Sequence, residues 1–200
     1  MKRFVIAAVL CWLTVGGAAA QDWKDILGRA ATAAADKLTG GRLTEWALVG
    51  TWSYTGPGVK FEGGDLLSEV GGSALESTVM GYLEKGYTLA GIKPGACSFS
   101  FDREKNFSAV VAGQTLSGTY EFDPSTHVVT LHFASGKFNL GTVPGHAYIS
   151  GSDLQIVFPV TRLVELVTAI GSKVSALSTV ASLLKKYENV YAGFAFSKAS

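Results

Sequence analysis

The sequence predicts a mainly-β protein, an antiparallel up-and-down β-barrel with added helices. Three observations carry this reading. From Cys97 to Phe158 apolar residues recur at every second position in short runs, the period of half-buried strands. Brief polar or glycine-containing turns separate the runs, so successive strands are antiparallel neighbours. A last alternating run, "VYAGFAF", follows a long helical stretch, and it is free to return to the first strand and remove the open edges.

Residues 1–20 read as a signal peptide. Lys2 and Arg3 precede the uncharged core "FVIAAVLCWLTV", and Ala18 and Ala20 stand as the small residues of a cleavage site. Cleavage after Ala20 is expected, with Gln21 as the new N-terminus. Cys11 follows Leu10 rather than a small residue, which makes it a poor lipid-attachment site. Loss of Lys2 and Arg3 turns the formal charge of +1 slightly negative. No basic block is left, so nucleic-acid binding has no electrostatic footprint. Cys97 is then the only thiol, and an intramolecular disulfide is excluded.

Residues 21–47 are expected to form an N-terminal amphipathic helix and a linker. Trp23, Ile26, Leu27, Ala30, Ala34 and Leu38 keep helical spacing, Asp22 suits the cap, and Gly40–Gly41 end the run. The barrel domain is expected over 48–200. Its first strand is "LVGTWSY", broken by the "GPG" at 56–58, with "VKFEG" as a possible continuation. A helical insertion follows at 64–85, with Leu66, Leu67, Val70, Ala74, Leu75, Val79, Tyr82 and Leu83 on one face. Gly71 and Gly72 weaken it.

The strands then come in pairs. Cys97, Phe99 and Phe101 alternate with Ser98 and Ser100, and "DREKN" turns the chain. Leu116, Tyr120 and Phe122 alternate with Ser117, Thr119 and Glu121 before "DPST", a type I turn with Pro124 at its second position. Val129, Leu131 and Phe133 continue the pattern. A long amphipathic helix over 160–187 starts after Pro159, with Leu163, Val167, Ile170, Val174, Leu177, Ala181 and Leu184 as its seam. The stretch Leu166 to Leu184 is long enough to span a bilayer, but it holds six Ser or Thr and its apolar residues keep to one stripe. A core-facing helix is the better reading. The closing strand is 190–197.

Chemistry-bearing clusters are sparse. His127 and His132 are placed on one strand facing opposite sides, and His146 beside a turn, so no metal set converges. "GGS" at 71–73 sits in a helical region and is no nucleophile elbow. Cys97, alternating with Phe, reads as a small buried hydrophobe. Asp65 and Glu69 lie on the polar side of a helix. "TGPGVK" lacks the hydroxyl residue of a phosphate loop. No metal or cofactor is expected. The candidate site is the barrel interior, where period two aims Trp52, Tyr54, Phe99, Phe101, Tyr120, Phe122, Leu131 and Phe133 inward. Trp52 reads as a core plug. The other seven line either a cavity for a small apolar molecule or a solid core filled by its own side chains.

G-x-W on the first strand (Gly50, Trp52), a hairpin meander, a helix and a returning strand resemble the lipocalin and calycin plan. The segments "ALVGTWSYTGPGVKFEG", "FSFDREKNFSAVVAGQTLSGTYEFD" and "GHAYISGSDLQIVFPV" are similar to an exported lipocalin-like domain of unknown function found in Bacteroidetes. The resemblance covers nearly the whole mature chain and implies a periplasmic location, with outer-membrane association or release to the medium as alternatives. The T-D-Y motif of kernel lipocalins and an arginine over Trp52 have no counterpart here, so no lipocalin ligand class is carried over. Three functions follow as expectations: a non-enzymatic binder of a small apolar ligand, a solid barrel that docks an envelope partner, and an enzyme on a calycin scaffold, the least supported.

Overall fold

The computed structural model describes residues 19–61, 72–134, 138, 140–170, 182 and 190–199. Most of the expected signal peptide lies outside these residues, as do 64–71 of the helical insertion and most of the long helix beyond 170. Eight strands form one closed antiparallel barrel in sequence order: β1 (Gly50–Phe61), β2 (Ser98–Phe101), β3 (Asn106–Val111), β4 (Gln114–Asp123), β5 (Val128–Phe133), β6 (Thr142–Ser150), β7 (Asp153–Pro159) and β8 (Val190–Lys198). Strand β8 pairs with both β7 and β1. Closure gives every strand a paired neighbour on each side, although β2 reaches only the start of β1. The mainly-β, up-and-down architecture is the one the alternation predicts.

The inner face follows the expected parity. Trp52 pairs with Phe99, Phe99 with Ala109, and Ala109 with Leu116. Tyr120 pairs with Leu131, Leu131 with Val143, Ile156 with Phe194, and Phe196 with Tyr54. All these residues are buried. Their strand neighbours Ser98, Ser100, Ser117 and Thr119 are more open to solvent.

Strand β1 departs from expectation in two ways. Leu48 is the last residue of a helix, and the strand begins at Gly50. The "GPG" does not break it. A register shift at Thr55 moves the pairing from Tyr54–Phe196 to Gly56–Ala195. This bulge exchanges inner and outer positions, so Tyr54 points in before it and Val59 after it. Pro57 is tolerated because its stretch pairs with β8 alone, β2 reaching only the start of β1.

Four helices are described: α1 (Ala19–Leu38), α2 (Arg42–Leu48), α3 (Gly72–Leu89) and α4 (Val160–Ala169). The stretch expected as a linker contains α2. Helices α1 and α2 lie against β6 near the β4–β5 and β6–β7 turns. Gly41 joins them with φ +82°, and a Cβ there would collide with the carbonyl of Pro124.

Over its described side chains, from Gly28 on, the face α1 turns inward is not the expected apolar one. Leu38 is 88 % exposed, and Ala30 and Ala34 are exposed. Asp36 is buried instead, accepting from the Thr44 N–H at 2.8 Å and the Thr44 hydroxyl at 2.5 Å. A carboxylate that satisfies two buried donors outweighs the apolar stripe, because unpaired buried polar groups are costly. Trp23, Ile26 and Leu27 have no described side chains.

Helix α3 continues to Leu89, past the expected end at 85, and packs on β1. Val79 and Leu83 are buried as expected, but Tyr82 is 39 % exposed and Tyr87 takes the inward position. In α4, Leu163 and Val167 are fully buried against β7 and β8. No helix of the described residues is long and apolar enough to cross a membrane. Helices α3 and α4 thus stand at the barrel end formed by the C-terminal half of β1 and the start of β8, opposite the Trp52 end.

Candidate functional site

The barrel interior is lined by contiguous aromatic rings. Phe99 lies 6.0 Å from Phe101 and 6.4 Å from Phe107, and Phe101 meets Tyr120 edge-on at 5.0 Å. Phe107 reaches Phe133 at 5.2 Å. A second group centres on Tyr54, edge-on to Tyr87, Phe194 and Phe196 at 6.1–6.3 Å. Phe99 joins the two groups through Phe196 at 5.6 Å. These spacings are those of favourable aromatic pairs.

Of the residues expected to line the interior, Tyr54, Phe99, Phe101, Tyr120 and Leu131 are buried and brought together. Phe122 and Phe133 are partly buried at its margin. Trp52 forms the floor at one end. Its indole N–H donates to the Leu48 carbonyl at 2.8 Å, satisfying one of the last carbonyls of α2. The ammonium of Lys198 stands 5.4 Å from the Trp52 ring. A lysine of the closing strand therefore supplies the cation for which the sequence showed no arginine.

The three interior tyrosines are held neutral. Burial, then the neighbouring Cys97 and Glu84, pushes the Tyr54 hydroxyl far above its ordinary value. Burial, then the neighbouring Tyr54, also raises Tyr87, and burial raises Tyr120, with help from Asp102 and Glu45. Tyr87 donates to the Gly193 carbonyl at 3.0 Å, and Tyr120 donates to the Asp102 carbonyl at 2.9 Å. Cys97 is a buried free thiol.

The histidines lie on the outside, and two of the three sit elsewhere than expected. His127 is in the β4–β5 turn with φ +57°, not on β5. Its Nδ1 lies 3.3 Å from the Ala147 carbonyl and its Nε2 3.7 Å from Asp36. His146 is within β6 rather than beside a turn, stacked on Tyr148 at 6.1 Å. His132, on β5 as expected, contacts Thr142 and Glu121. Among the described residues no group of three or more His, Cys, Asp or Glu is placed to hold a metal ion.

Two clefts open on the outer surface near the Trp52 end. The larger, about 630 Å³, is lined by Glu45, Trp46, Val49, Arg103, Lys105, Tyr120 and Lys198. The smaller, about 340 Å³, runs along Thr51, Ser100, Asp102, Asn106 and Ser108. Sequence reasoning missed the larger cleft. Tyr120 was expected in the interior and Val49 on the first strand, and the other residues come from a stretch read as linker, from a hairpin turn and from the end of the last strand. The only available signal was a tryptophan, Trp46, in a short polar segment.

No curated protein matches the chain. A crystal structure of a DUF4847 family protein from Bacteroides vulgatus is similar at 13 % identity and a TM-score of 0.37, covering 79 % of this chain and 99 % of that one. The model of the lipocalin-like domain (DUF4923) matches residues 23–198. With the closed eight-strand barrel around Trp52, this match places the chain in the lipocalin-like DUF4923 family.

Proposed function

We propose that the chain is an exported, non-enzymatic protein that holds a small apolar molecule inside its barrel, in the half covered by α3 and α4. The observation that carries the reading is the interior itself: a largely apolar aromatic lining with a few tyrosine hydroxyls as polar handles, the composition of a small-molecule pocket. Among the described residues, the interior groups able to titrate are Tyr54, Tyr87, Tyr120 and Cys97, and the three tyrosines are all shifted away from ionisation. That offers little to acid–base chemistry, which works best with groups poised near the working pH. Export rests on the charge, apolar core and small residues of 1–20.

The test is uptake of the neutral fluorophore N-phenyl-1-naphthylamine by the mature protein, read beside native mass spectrometry of protein taken from its natural source. Saturable enhancement that Ala109→Leu weakens without loss of stability supports the reading. No uptake and a bare protein mass overturn it. They favour instead a solid barrel that docks an envelope partner, the reading supported by the unbroken ring contacts at 5.0–6.4 Å. N-terminal sequencing that starts anywhere but Gln21 overturns the cleavage site.

A further inference from the structure

The outer cleft beside the Trp52 end has a chemistry unlike the barrel interior. Three cations line it, Arg103, Lys105 and Lys198, against one carboxylate, Glu45. Lys105 is already engaged: its ammonium lies 3.2 Å from Glu45 and 5.3 Å from the Tyr120 ring. The Lys198 ammonium has a ring contact with Trp52 and no carboxylate partner among the described residues. Arg103 is exposed and makes no ion pair among the described residues. The nearby Asp102 is taken up by Asn106, whose backbone and side-chain N–H groups donate to it at 2.7 and 2.9 Å. The neighbouring Glu104 is exposed and is not among the cleft-lining residues. The cleft therefore carries an excess of positive charge that its own residues do not neutralise.

Trp46 supplies the other half of the site. It is 75 % exposed, although α2 has core positions at Thr44 and Leu48. A large indole left in solvent beside two uncommitted cations offers a flat apolar face and charged donors together. The volume, about 630 Å³, lies in the range of small-molecule pockets.

We propose that this cleft binds a small organic anion carrying a flat ring. The ring stacks on Trp46, and the carboxylate, sulfonate or phosphate group is held by Arg103 and Lys198. Arg103 provides the forked donors suited to an oxyanion. Lys198 adds a point charge, held in position by its contact with Trp52. The site opens at the Trp52 end of the barrel, and Tyr120 is the residue it shares with the interior lining.

The experiment is a titration of the mature protein, labelled with 15N at tryptophan, with 1-naphthoate and with its neutral analogue 1-naphthamide. The expected result is a saturable shift of the Trp46 indole N–H signal and a preference for the anion of about tenfold, the weight of one charge-assisted contact. Arg103→Ala and Lys198→Gln each weaken naphthoate binding several-fold, added salt weakens it further, and Trp46→Ala abolishes it. These positions are exposed, so the variants fold, which circular dichroism verifies. Equal binding of acid and amide overturns the proposal, as does naphthoate binding that survives Trp46→Ala, which places the probe inside the barrel. No shift at millimolar naphthoate also overturns it. Uptake of N-phenyl-1-naphthylamine is measured on the same Trp46→Ala variant, and uptake that persists there while naphthoate binding is lost separates the two sites.

Discussion

The Tyr87 hydroxyl donates to the Gly193 carbonyl over 3.0 Å, and the Tyr87 ring stacks on Phe194 at 5.1 Å. One side chain thus ties the helix that follows β1 to the strand that closes the barrel. Tyr87→Phe keeps the stack and removes the donor. It is expected to cost about 1–3 kcal/mol, the penalty of leaving a buried acceptor unpaired. Urea denaturation should show a lower midpoint with an unchanged slope.

The raised tyrosines give an alkaline signature. Their folded pKa values exceed the unfolded ones, so their contribution to stability is complete below the ordinary tyrosine value and is lost as pH rises above it. Tyrosinate absorbance at 295 nm should therefore rise in two steps. The later step should coincide with loss of ellipticity, and Tyr54→Phe should shift that unfolding to higher pH.

The hairpin turns give the opposite sign in acid. Asp102 is held below the usual carboxylate range by the Asn106 side chain and then its backbone N–H, and Asp123 by the hydroxyls of Ser125 and Thr126. Their contribution is complete above the ordinary carboxylate value and fades as pH falls below about 4. A shallower acid dependence is expected for Asp123→Asn, measured by thermal unfolding across that range.

The face of α1 can be decided by two substitutions. Asp36→Ala strands the N–H and hydroxyl of Thr44 and should cost about 1–3 kcal/mol. Leu38→Ala should change stability by less than about 0.5 kcal/mol, as expected of an exposed position. The reverse ranking would restore the apolar stripe read from the sequence.

Two glycines on adjacent strands predict different tolerances. A Cβ at Gly193 would stand 2.1 Å from the Ile156 carbonyl, so the β7–β8 pairing must give way. Gly193→Ala should cost at least the 1–3 kcal/mol typical of overpacking, about the most for a single methyl group. At Gly58 the obstacle is the flexible Gln155 side chain, so Gly58→Ala should be mild. Comparing the two melting temperatures checks the argument.

The barrel was legible because its signal is local. Serines alternating with Phe99, Phe101, Tyr120 and Leu131 fix which face is inward, and Trp52 lies on the first strand as G-x-W implies. The helices were less legible, since which stripe faces the core depends on partners distant in sequence. Leu38 and Tyr82 were displaced from it by Asp36 and Tyr87, whose partners Thr44 and Gly193 no helical period reveals. The candidate interior residues followed from parity. The outer cleft did not, because Trp46, Arg103 and Lys198 meet only after the barrel has closed.

That closure has a kinetic side. Beyond its first few residues, β1 has β8 as its paired neighbour, and β8 is the last strand of the chain. During synthesis the edge from Gly56 to Phe61 emerges early and waits for a partner until almost the whole chain has followed. Contacts of such sequence separation are slow to form, because the loop they close must first lose its freedom. The seam between β1 and β8 is therefore expected to be the slowest contact to form and the one most open to mispairing with another copy, and the proline at 57 stands on the edge that waits.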